Sequence, residues 1–121
     1  MPKFVHVDIA ADDPPRAAAF YSEVFSWKTN KLEGPTPYWL LSTSDDETAV
    51  GAGIGQRDAP WQSVAPTIEV PSADAFTRKI EAAGGEIVVP KVHMPGVGYL
   101  VTFKDTEGNV MAILEPAQAP G

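Results

Sequence analysis

Apolar residues recur at helical spacing in two stretches of the chain. In "DDPPRAAAFYSEVFSW", Tyr21, Val24 and Phe25 follow Phe20 by one, four and five residues, the repeat of an amphipathic helix. Asp13 stands before Pro14 and Pro15, where a carboxylate can accept from a free first-turn amide and proline gives up only a donor without a partner. The pattern predicts a helix opening at Asp13, with those four residues facing a core. In "VPSADAFTRKIEAAGG", Ser72 takes the capping place, Phe76, Ile80 and Ala83 form the stripe, and Gly84 with Gly85 stops the helix.

The two stretches are copies. Ser72 lies 59 residues after Asp13, and Ile80 lies 59 after Tyr21. The same offset lays the strand "SVAPTIEV" on "FVHVDIAA", with Ala65 opposite His6. After each helix come three short β-patterned runs, "WKTNKLE", "YWLLSTS" and "AVGAGIGQ" in the first copy and "EIVVPKV", "GYLVTFK" and "NVMAILE" in the second. Each copy therefore reads β-α-β-β-β. Asp46-Glu47 and Asp105 to Asn109 supply the turns before the last strands, Gly108 and Asn109 being suited to positive φ.

One helix covers one face of such a sheet, so the other face calls for the second copy, another chain or a ligand. The whole of 1–121 reads as a single domain, module one about 1–56 and module two about 62–116. "GQRDAPWQS" is the natural connector, its Trp61 expected to pack, and the tail "PAQAPG" is expected to fray.

Charge narrows the partners. Nine Lys and Arg against sixteen Asp and Glu leave a formal net charge of −7, which repels nucleic-acid phosphate and anionic membrane. No apolar run approaches the roughly 18 residues of a membrane span, and acidic residues at 8, 12 and 13 interrupt any leader-like segment. The absence of cysteine rules out disulfides, thiolate metal sites and cysteine nucleophiles, and fits a cytoplasmic protein. No G-x-S-x-G is present, and "GAGIGQ" leads to a loop rather than the helix a dinucleotide fingerprint requires.

The string "VHVDIAADDPPRAAAFYSEVFSW", the later "IEAAGGEIVVPKVHMPGVGYLVTFKDTEGN" and the doubled β-α-β-β-β plan together resemble the vicinal oxygen chelate superfamily of glyoxalase I, extradiol dioxygenases and bleomycin-resistance proteins. The resemblance covers nearly the whole chain. It implies an α+β fold whose paired modules curl their sheets into a U-shaped cup, commonly with a second chain alongside. In metal-dependent members it implies one divalent ion, held by His or Glu side chains from the first and fourth strands of each copy. His6 matches the first-strand ligand position. The other three positions fall on Ala65, Ala52 and Ala112, none of which carries a donor atom.

Glu115 lies three residues beyond Ala112, and residues three apart on a regular strand point to opposite faces. It reads as an outward or edge charge, and the expectation is a site with no metal and no cofactor. By the same parity His6 shares a face with Asp8, as Ala65 does with Thr67. His6 and Asp8 are candidates for a general base or polar anchor. Tyr38 or Trp39, Ala52, Thr67, Tyr99 and Ala112 are candidate cup-lining positions, and His93 belongs to a loop expected at the mouth. Which of Tyr38 and Trp39 faces inward turns on one residue of register.

The expected function is binding of a small apolar or aromatic molecule by a homodimer without a metal. The alternatives are a metal-dependent lyase or dioxygenase, and a metal-free enzyme using His6 and Asp8 as base.

Overall fold

The computed structural model describes residues 1–34, 37–46 and 48–117. Glu47 of the first expected turn and the end of the tail from residue 118 lie outside them. The fold is α+β and runs β1 (Lys3–Ala11), α1 (Pro14–Phe25), β2 (Lys28–Leu32), β3 (Tyr38–Ser42), β4 (Gly51–Gln56), β5 (Val64–Glu69), α2 (Ala73–Ala82), β6 (Glu86–Met94), β7 (Gly98–Lys104) and β8 (Val110–Pro116). Two compact units result. One holds His6–Ala65, and the other holds Met1–Val5 with the chain from Pro66 onward.

In the first unit the strands lie in the order β2, β3, β4, β1, with β1 and β4 parallel and the other neighbours antiparallel. In the second the order β6, β7, β8, β5 repeats the plan, β5 and β8 being the parallel pair. Asp13 caps α1 by accepting from the amide of Arg16, and Ser72 caps α2 by accepting from the amide of Ala75. Pro90 falls within β6, an outer strand, where its register with β7 shifts between Val89 and Val92. An outer strand tolerates the missing donor there.

The core of the first unit joins Ala18 to Ala11, Leu41, Ala52 and Ile54, with Ala17, Tyr21 and Trp39 packed around them. The expected α1 stripe is therefore corrected. Phe20, Val24 and Phe25 are exposed at 55%, 54% and 53%, and of the four only Tyr21 touches the core. At 100° per residue, a helix seated on its sheet through Ala17, Ala18 and Tyr21 turns Phe20 outward, while Val24 and Phe25 belong to the last turn of the helix. The small alanines allow close approach, and Tyr21 and the exposed Phe25 both stack on Trp27, at 5.7 Å and 5.0 Å.

In the second unit Phe76 and Ile80 pack as expected against Val70, Val101, Phe103 and Ile113, whereas Ala83 is the exposed residue that ends the helix. Gly85 follows because a side chain there would press within 2.6 Å of Ile80 Cγ2 and 3.0 Å of the Lys104 carbonyl.

The turn before β8 winds around Asp105, whose carboxylate accepts from the amides of Glu107 and Asn109 at 2.8 and 2.9 Å. Gly108 alone takes positive φ, at 83°, and Asn109 does not. Asp46 plays a similar part before β4, accepting from the amide and hydroxyl of Thr48. In the connector, Arg57 donates to the Asp12 carboxylate at 3.0 Å and to the carbonyls of Ala10 and Gln62, while Gln62 Oε1 receives the amides of Asp58 and Ala59. These polar ties hold the turn without Trp61, which is 38% exposed rather than packed.

Candidate functional site

Strand parity sorts the side chains of the first unit. Val7 and Ile9 on β1, Trp39 and Leu41 on β3, and Ala52 and Ile54 on β4 belong to the core under α1. His6 and Asp8, Tyr38 and Leu40, and Gly51, Gly53 and Gly55 take the opposite face. The register fixes their adjacency. His6 lies beside Gly51 and Asp8 beside Gly53, while across β4 Leu40 lies beside Gly53 and Tyr38 beside Gly55. The choice between Tyr38 and Trp39 thus falls on Tyr38 for the face away from the helix.

Alternate glycines leave a strip of bare backbone, and the Tyr38 ring lies along it. A Cβ on Gly55 would sit 3.4 Å from Tyr38 Cδ1, and one on Gly53 would overlap the phenol oxygen itself. The ring can reach along β4 only because both positions lack side chains. At its end the Tyr38 hydroxyl donates to Asp8 Oδ1 at 2.5 Å and lies 2.9 Å from His6 Nε2, with His6 Nε2 and Asp8 Oδ1 3.3 Å apart. His6 and Asp8 side chains remain 27% and 41% exposed, so the cluster is open to a bound molecule.

The phenol is held well above its ordinary pKa of 10.0, first by burial and then by the charge and hydrogen bond of Asp8. Tyr38 therefore keeps its proton and donates it in a hydrogen bond to the Asp8 carboxylate. The residues that make this arrangement possible, Gly53 and Gly55, were not among the expected site residues. Their signal was in the sequence, since "GAGIG" places glycine at every second position of a strand and so strips one face of it.

Three expected lining positions require correction. Ala52 faces α1, and the residue of β4 that answers to Ala112 is Gly53, because Asp8 pairs with Gly53 as Thr67 pairs with Ala112. The 59-residue offset between the copies likewise relates Ala112 to Gly53. Tyr99 packs on the α2 side with Val101 and Phe103, away from the face of Thr67 and Ala112. His93 belongs to strand β6, not to a loop, and lies over Tyr99 with ring centroids 5.0 Å apart. Lys91 approaches the same ring while paired with Asp74 at 3.0 Å, so these residues form a surface cluster of their own.

In the second unit Ala112 is flanked by Met111 and Ile113, both on the α2 side, and so points the other way. Glu115 has the parity of Ile113 and reaches the start of α2, where it accepts from the Ala73 amide at 2.9 Å. Thr67 is 2% exposed, and its hydroxyl has no partner among the described residues.

The donor set does not suit a metal ion of the kind the resemblance implies. Gly53, Ala65 and Ala112 offer no ligand atom, His6 Nε2 already faces Tyr38, and no group of three His, Asp or Glu side chains converges among the described residues. Nor is any helix of the described residues long and apolar enough to cross a membrane.

Comparison with known proteins places this geometry in context. The anthracycline biosynthesis protein DnrV of Streptomyces peucetius is 27% identical over 88% of this chain and 44% of its own length. CFP32 of Mycobacterium bovis, which carries a glyoxylase name, is 28% identical over 91% of this chain and 42% of its own. The chain spans less than half the length of these curated relatives. Among solved structures, methylmalonyl-CoA epimerase from Mycobacterium tuberculosis matches 95% of this chain and 88% of its own with a TM-score of 0.71 at 16% identity, a likeness of fold. The family model for the Glyoxalase/Bleomycin resistance protein/Dioxygenase superfamily matches residues 3–113, and the chain belongs to that superfamily.

Proposed function

We propose that the chain binds a small, partly apolar or aromatic molecule and does so without a catalytic metal ion. The observation that carries this reading is the Tyr38 ring laid over the glycine strip with its hydroxyl between His6 and Asp8. It combines an aromatic surface, a backbone floor and a convergent polar group, the ingredients of a small-molecule site. Leu40 and Leu32, both exposed, extend the apolar surface beside it. Chemistry of the lyase or dioxygenase type that depends on a metal would need donors at positions 53, 65 and 112, where this chain has glycine and alanine. The homodimer expected from the resemblance, with no nucleic-acid or membrane partner, is part of the same proposal.

A second reading, a metal-free enzyme with His6 and Asp8 as base, is favoured by their 3.3 Å approach.

Thermal-shift measurements with flat aromatic compounds test the first. Native protein should melt higher in their presence, since a ligand bound to the folded state raises its stability. The shift should shrink in Tyr38→Ala. Absence of any shift, or near one divalent ion per chain that disappears in His6→Ala by elemental analysis, would overturn it. Turnover of an acidic C–H substrate that is lost in His6→Ala would establish the second reading.

A further inference from the structure

The proton positions of the cluster can be counted. An ionised Asp8 only accepts, so the single hydroxyl proton of Tyr38 occupies the 2.5 Å contact to Asp8 Oδ1. The phenol oxygen then has only lone pairs to offer at its 2.9 Å contact with His6 Nε2. A hydrogen bond there requires the proton to be on Nε2. Neutral His6 consequently carries its free lone pair on Nδ1. Among the described residues neither His6 Nδ1 nor Asp8 Oδ2 has a hydrogen-bond partner, and both side chains are partly exposed.

The atoms that this cluster leaves for a ligand are thus both acceptors. From this, and resting on the aromatic-binding reading above, we propose that the site selects a ligand that donates a hydrogen bond: a flat ring bearing a hydroxyl, in the manner of a phenol, rather than a carboxylate, a phosphate or an ether. The ring would lie by Tyr38 and Leu40, and its hydroxyl would point at His6 Nδ1 or Asp8 Oδ2. An anion would meet an acceptor on each side and a chain of net charge −7.

Two measurements decide this. Nitrogen-15 NMR of the full chain at pH 8 reads the His6 tautomer without any ligand, and the expected spectrum has a protonated Nε2 and a bare Nδ1. A proton on Nδ1, alone or together with one on Nε2, overturns the inference. In Asp8→Ala the Tyr38 proton has only His6 Nε2 left to bond, so the tautomer should invert.

Calorimetric titration then compares 2-naphthol with 2-methoxynaphthalene, which share a ring system and differ in the donor. The naphthol is expected to bind at least tenfold more tightly. Equal or tighter binding of the ether overturns the acceptor-only site while leaving aromatic binding standing. Binding of neither overturns the aromatic reading and this ligand class with it, whatever the tautomer.

Discussion

Glu115 on β8 accepts a hydrogen bond from the amide of Ala73, the first residue of α2, at 2.9 Å. Ser72 satisfies the amide of Ala75 from within the helix's own sequence, and Glu115 satisfies Ala73 from the last strand. A carboxylate at a helix N-terminus also meets the positive end of the helix dipole.

Replacing Glu115 by alanine removes both the acceptor and the charge. We expect a loss of about 1 kcal/mol in urea unfolding, the usual size of a lost capping interaction. Glu115→Gln keeps an acceptor and should lose less. Equal stability of Glu115→Ala and the parent would show that the contact contributes nothing in solution.

Gly53→Ala places a methyl where the Tyr38 oxygen lies. The substitution should cost about 1 to 3 kcal/mol, as overpacking does, and should separate Tyr38 from Asp8. In a Tyr38→Ala background the same change should be nearly neutral. A double-mutant cycle measures this coupling directly, and additive costs would contradict the placement of the ring.

The raised pKa of Tyr38 has a definite sign in stability. Burial, followed by the charge of Asp8, favours the protonated phenol in the folded chain, so its contribution is whole below the ordinary value of 10.0 and is lost as pH rises above it. Above pH 10 the parent should lose stability more steeply than Tyr38→Phe, by about 1.4 kcal/mol per pH unit, because only the unfolded phenol ionises. Parallel curves for the two proteins in urea unfolding from pH 9 to 11 would refute this.

Asp105 behaves in the opposite sense. Its hydrogen bonds from the Asn109 side chain, then from the Asn109 and Glu107 amides, hold its carboxyl below the ordinary 3.8. The resulting stability is present above that value and is lost as pH falls through the lowered one. Asp105→Asn should therefore be less stable than the parent at pH 7, and the gap should narrow in acid below 3.8. A gap independent of pH would assign the turn's stability to geometry instead of charge.

Local rules made most of the fold legible. The 59-residue offset read from Asp13 and Ser72 carries β1 onto β5, α1 onto α2, and β2, β3 and β4 onto β6, β7 and β8. Both caps are fixed by short-range chemistry, so they could be read without knowing the partners of either helix. The side-chain faces were harder, because they depend on pairing. The face of Tyr38 follows from its place beside Gly55, which periodicity alone does not specify; the counterpart of Ala112 was legible, since the 59-residue offset leads back to Gly53, the partner of Asp8. The α1 stripe misled for a related reason: Ala17 and Ala18 allow the closest approach to the sheet, and the larger rings yield the contact to them.

The glycine strip restricts what the first module can become. An acidic side chain at position 53 and the phenol of Tyr38 would claim the same volume, so they are alternatives and not neighbours. Converting this module to a metal-binding one by adding a carboxylate at 53 would first evict the ring and dissolve the proton arrangement around His6.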